Sequence, residues 1–249
     1  PRIDISKKLQ ILLKEFDTNL QAKSKIEILG KIEQLIEEAN NRILPNGLNE
    51  LFERLRNNIN DGNKTFVRKI LKVYLKILES LGTHSKNFSK FIVKNVLNNL
   101  SDSQIHVRED AKNVLQKFVD LNGLDFFIKN CNSFLMENKY DMRFEILNLL
   151  IFNISKFKEC NTEEFSLIVE GIVNCMLDKS NKIKELAEKI CSEIMKYVRI
   201  NCFEKVLLKF KPEISNCVRP IIEKYVGNFT GNFMKGNNVA NNNNNNSKN

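Results

Sequence analysis

The chain has 249 residues, 42% of them hydrophobic, and 39 Lys and Arg against 30 Asp and Glu give it a formal charge of +9. That apolar content excludes wholesale disorder and suits one large domain or two small ones. Nine glycines, four prolines and no tryptophan supply too few turn residues for a sandwich or barrel of many short strands, so helix is the default. The positive balance favours an acidic partner over a basic one.

In chain order, the 3.6-residue apolar period predicts helices near 4–16 and 21–40, 46–59 and 65–81, 85–100 and 105–121. They continue near 124–137 and 142–157, 162–177 and 183–198, and 200–210 and 213–226. Val67, Ile70, Tyr74, Leu78 and Leu81 form one stripe, and Val107, Ala111, Val114 and Phe118 another. Gly82 and Gly123 read as helix stops, Pro45 and Pro212 as helix starts, and Ser101 and Asp102 as N-caps.

A polar break centred on aspartate recurs at Asp17, Asp61, Asp102, Asp141 and Asp178, with gaps of 44, 41, 39 and 37 residues. That period belongs to helix-pair repeats of the HEAT and armadillo kind, whose units cannot bury their apolar faces without neighbours. The expectation is an all-α solenoid of six HEAT-like helix pairs over residues 1–226. Residues 227–249, ending in six consecutive asparagines, read as a low-complexity linker without a fold. The greasiest stretch, 146–154, is interrupted by Asn148 and Asn153 and is too short to span a membrane. A start at Pro1 without methionine reads as a piece excised from a longer protein.

Chemistry has no visible seat. His84 and His106 lie in different repeats without a metal-ligand neighbour, and the six cysteines lack CxxC spacing and read as buried hydrophobes. No GxSxG, GxxxxGK[ST] or GxGxxG motif is present. No enzyme, cofactor or metal is expected. What remains is the row of breaks, since turns inside stacked repeats line up along one edge. That edge carries Asn63, Lys64 and Arg68, then Ser103 and Arg108, Lys139 and Arg143, and Lys179, Lys182 and Lys184. Cations at helix N-termini oppose the macrodipole, a cost that an acidic partner would explain.

These residues resemble the TOG domains of the ch-TOG-like microtubule polymerases over about residues 1 to 226. The opening Pro1-Arg2-Ile3-Asp4-Ile5-Ser6 is similar to that of the fourth TOG domain in such arrays. Pro45-Asn46, Glu50-Leu51, Asn60-Asp61-Gly62-Asn63-Lys64, Leu100-Ser101-Asp102-Ser103 with Val107-Arg108, and Asp178-Lys179-Ser180-Asn181 with Ile183-Lys184 continue the likeness. The resemblance implies a six-HEAT paddle that holds αβ-tubulin or the microtubule lattice through its intra-repeat loops. Leu20 stands where the family's best tubulin binders carry a tryptophan. It further implies other TOG domains in the same chain, a cytoplasmic, microtubule or spindle location, and neither nucleic-acid nor membrane partners. The alternative is a HEAT scaffold that docks a protein without binding free tubulin.

Overall fold

The computed structural model describes residues 1–19, 21–160, 162–197 and 200–236. Among these, twelve helices alternate in direction: α1 (Ser6–Thr18), α2 (Ala22–Glu38), α3 (Leu48–Asn58), α4 (Lys64–Leu81), α5 (Ser89–Leu97) and α6 (Ile105–Asn122). The second half holds α7 (Asp125–Met136), α8 (Tyr140–Phe152), α9 (Thr162–Met176), α10 (Asn181–Ile194), α11 (Ile200–Leu207) and α12 (Pro212–Gly236). The first helices of the pairs pack in series, α3 on α5, α5 on α7 and α7 on α9, and the second helices do the same from α2 through α10. The result is the expected all-α, two-layer solenoid of helix pairs, with the apolar stripes buried between the layers.

The stops act as expected. Gly82 and Gly123 adopt φ of +57° and +90°, the left-handed half of the map that glycine enters without a Cβ penalty. Their N–H groups donate to Leu78 and Val119. Four boundaries differ from the sequence expectation. Gly47, not Pro45, precedes α3, with φ of +76°. The segment expected as one helix over 85–100 is α5 flanked by 3-10 turns at Gly82–Phe88 and Asn98–Ser101. These turns set Phe88 and Phe91 against Phe52, with centroids 4.9 and 6.0 Å away. Helix α8 stops at Phe152 because the buried Asn153 turns inward, donating to Leu149 O and exchanging amide hydrogen bonds with Gln116. Helix α12 runs past 226 to Gly236. Residues 237–249, which include the asparagine run, lie outside the described residues.

Successive repeats are tied by ion pairs about one repeat apart, three of them between second helices and one from the turn after α8. Lys76 reaches Glu37 at 2.8 Å, Arg68 reaches Asp110 at 2.7 Å, Lys112 reaches Glu145 at 3.2 Å and Lys156 reaches Asp120 at 2.6 Å. The N-terminal phrase is a strap over the first two repeats. Arg2 donates to the carbonyls of Ser80 and Leu81 at the end of α4, and Asp4 accepts from Ser6 N–H and from Asn46, both at 2.8 Å. Those bonds hold the Asp4 carboxyl below its ordinary pKa, the Ser6 backbone bond contributing most. Arg2, Asp4 and Asn46 are thereby explained as fold-building residues.

Candidate functional site: the intra-repeat loop edge

Three of the five aspartate breaks share one local geometry, whereas Asp17 and Asp141 lie inside α1 and α8 and mark no turn. Asp61, Asp102 and Asp178 each accept, through Oδ1, the N–H two residues ahead, from Asn63, Gln104 and Ser180 at 2.7 to 2.9 Å. These are Asx turns, which let the chain reverse and start the second helix of the pair. Among the expected caps, Ser101 instead donates to Asn98 O, and Asp102 acts one step earlier, through its Asx turn before Gln104. The side chain that does cap is Asn63, which accepts the Phe66 N–H at 3.1 Å and opens α4.

In Asp102 and Asp178 the second carboxylate oxygen is spent on the preceding repeat. Asp102 Oδ2 accepts from Lys64 Nζ at 2.6 Å, and Asp178 Oδ2 accepts from Arg143 Nη1. Arg108 folds back on the same turn and donates to the carbonyl of Asp102 at 2.7 Å. Asp102 and Asp178 therefore each shape their own turn and clamp a base of the repeat before it. The cost of placing a cation at these helix starts is offset inside the protein, without any partner.

The predicted edge consequently divides in two. Lys64, Arg68 and Arg108 are half-buried and committed to Asp102, Asp110 and the Asp102 turn. Arg143 is a correction: only 4% exposed, it lies inside the fold, its Nε donating to Leu135 O at 3.1 Å, because the Asp178 turn of the next repeat covers it. Asn63, Ser103, Lys139, Lys179 and Lys182 face solvent, and Lys184 is half-exposed. Lys139 pairs with Glu137 at 2.8 Å, and Lys182 Nζ sits 4.5 Å from the Phe144 ring centroid. Leu20 lies outside the described residues. The cations of the edge outside any ion pair among the described residues, Lys179, Lys182 and Lys184, thus concentrate on the fifth pair.

Sequence reasoning passed over the apolar residues of this edge. Ile105, the first residue of α6, is 54% exposed; Tyr140, the first residue of α8, is 47% exposed; Leu208, just after α11, is 82% exposed. Ile105 falls two residues before the stripe that begins at Val107, so its absence from the core was a readable signal.

No cluster of three or more Cys, His, Asp or Glu side chains capable of holding a metal occurs among the described residues. His106 is a surface residue, its Nδ1 3.4 Å from Glu109. Cys131, Cys175 and Cys191 are buried and free, and burial pushes the thiols of Cys175 and Cys191 up to about 12. No helix among the described residues is long and apolar enough to cross a membrane.

The described helices form an α-solenoid of HEAT-like helix pairs. No family model matches the chain. It is 28% identical over 230 residues, 90% of its length, to centrosomal protein 224 of Dictyostelium discoideum, and 30% identical over 213 residues, 83% of its length, to protein MOR1 of Arabidopsis thaliana. It spans only 11% and 10% of those relatives. A solved structure from work on microtubule plus-end tracking by XMAP215, CLIP-170 and EB1 superposes with a TM-score of 0.67 at 13% identity, over 90% of this chain and 94% of that one. Another, from work on tubulin recruitment and assembly by microtubule polymerases with TOG domain arrays, gives 0.67 at 15% identity, over 90% of this chain and 48% of that one.

Proposed function

We propose that this chain is a tubulin-binding module of a microtubule polymerase, holding tubulin against the intra-repeat loop edge. The observation that carries the reading is the succession of four intra-pair turns, at 59–63, 102–104, 137–139 and 177–180, with Lys179, Lys182 and Lys184 outside any ion pair among the described residues and set beside an exposed polar and apolar strip. The net charge of +9 agrees with an acidic partner. The relatives and solved structures reported above support the reading through what their own names describe. No chemistry is assigned to the edge: it would act by raising local tubulin concentration, alongside other TOG domains of a longer protein. Within such an array the opening Pro1 to Ser6 phrase favours the fourth position. The corresponding location is the cytoplasmic microtubule cytoskeleton and spindle, with neither nucleic acid nor membrane as partner.

Size-exclusion chromatography with unpolymerised tubulin tests this. The chain is expected to co-elute with tubulin at low salt and less at physiological salt, and a Lys179→Glu, Lys182→Glu variant is expected to lose co-elution while melting at the native temperature. A native chain that never co-elutes, even at low salt, would overturn the reading in favour of a docking scaffold.

A further inference from the structure

The cations of the edge surround something that charge alone does not explain. Ile105 and Tyr140 occupy the same position in consecutive repeats, the first residue of the second helix. The equivalent residue in the second and fifth pairs is polar, Lys64 and Asn181. Helices α6 and α8 are in contact, so these two exposed side chains start from adjacent helices on the same edge. Tyr140 is held rigid: its ring stacks on Phe144 at 5.7 Å with an interplanar angle of 8°, and Lys182 covers that Phe144 ring. A pre-ordered tyrosine loses little conformational freedom on binding, which is what an interface anchor requires. Around the pair lie Ser103, Lys139, Lys179 and Lys182, a solvated basic rim about an apolar centre.

We propose that Ile105 and Tyr140 are the apolar anchors of the loop edge, so that this chain grips an acidic protein surface chiefly through its third and fourth turns. The proposal rests on the tubulin reading for the identity of that surface. Charge complementarity favours tubulin as occupant, since Lys179 and Lys182 stand outside any ion pair among the described residues, Glu137 is matched by Lys139, and the exposed Asp141 beside Tyr140 leaves the balance positive. The anchors supply buried apolar area and the rim supplies steering, so the two should separate experimentally: anchors in dissociation rate, rim in salt dependence.

The test is the dissociation constant of the full chain for unpolymerised tubulin, measured by biolayer interferometry at physiological salt beside thermal melts. Ile105→Ser and Tyr140→Ser are each expected to weaken binding roughly tenfold, mainly through faster dissociation, and the double variant further, with melting temperatures near native because both side chains are exposed. Phe152→Ser removes a ring that is 74% exposed at the opposite end of α8, and binding should stay native. A double variant that binds within twofold of the native chain would overturn the anchors and leave the tubulin reading intact. A native chain that does not bind tubulin would overturn both.

Discussion

Arg143→Met is expected to lower the free energy of unfolding by about 3–5 kcal/mol, the range found when one partner of a buried ion pair is removed. The guanidinium is enclosed, with Nη1 on Asp178 and Nε on the Leu135 carbonyl at the end of α7. Removing it leaves a carboxylate buried beside a carbonyl with no counter-charge. The pair also joins the fourth helix pair to the turn of the fifth, so its loss should loosen that junction in particular. Asp178→Asn keeps the oxygen that accepts the Ser180 N–H and so retains the Asx turn. In the double variant Arg143→Met, Asp178→Asn no uncompensated charge remains, and the cost should fall well short of the sum of the single variants. Urea denaturation of the three variants checks this; additive costs would mean that the pair is energetically idle.

Gly171→Ala should destabilise by about 1–3 kcal/mol, against the usual preference of a helix interior for alanine. A Cβ on Gly171 would lie 2.7 Å from Leu135 Cβ and 2.9 Å from Asn132 Oδ1, while the Gly171 N–H donates to that same Asn132 oxygen at 2.7 Å. Helices α7 and α9 approach this closely only because no side chain intervenes, and neither Leu135 Cβ nor the bonded amide can move without shifting α7. Gly30 in α2 is the internal comparison, since its added Cβ would meet only Lys69 Nζ at 3.8 Å. Gly30→Ala should stabilise by roughly 0.5–1 kcal/mol. Opposite signs for the two substitutions, read from denaturant midpoints, are the expected result.

What the sequence revealed and what it concealed follow from the range of the forces involved. The stripe Val67, Ile70, Tyr74, Leu78 and the stop at Gly82 are properties of one helix, and both are found in place. The aspartate spacing is a property of the repeat, and at Asp61, Asp102 and Asp178 it located turns of the solenoid edge, while Asp17 and Asp141 fell inside helices. The fate of Arg143 depends on an acid 35 residues away, brought near only by the stacking of one repeat on the next. A cation on a helix start therefore reads the same in sequence whether it meets solvent, as Lys179 does, or a neighbouring turn, as Lys64 does. Gly171 was unreadable for a similar reason, because its cause is the closeness of α7. The broken α5 escaped notice because Phe88 and Phe91 keep an apolar pattern while their ring contacts with Phe52 enforce the 3-10 turn. Ile105 and Tyr140 were visible as apolar residues off the core stripes, but only the helix starts reveal that they share a position.

The central claim, that the intra-repeat turns are the binding face, is tested most directly by hydrogen–deuterium exchange of the chain with and without tubulin. Slowed exchange is predicted in the turns around 61–64, 101–105, 137–140 and 178–181, with no change in the turns of the opposite edge at 82–88, 122–125 and 154–159. Protection confined to the opposite edge, with the aspartate turns exchanging as in the free chain, would contradict the account.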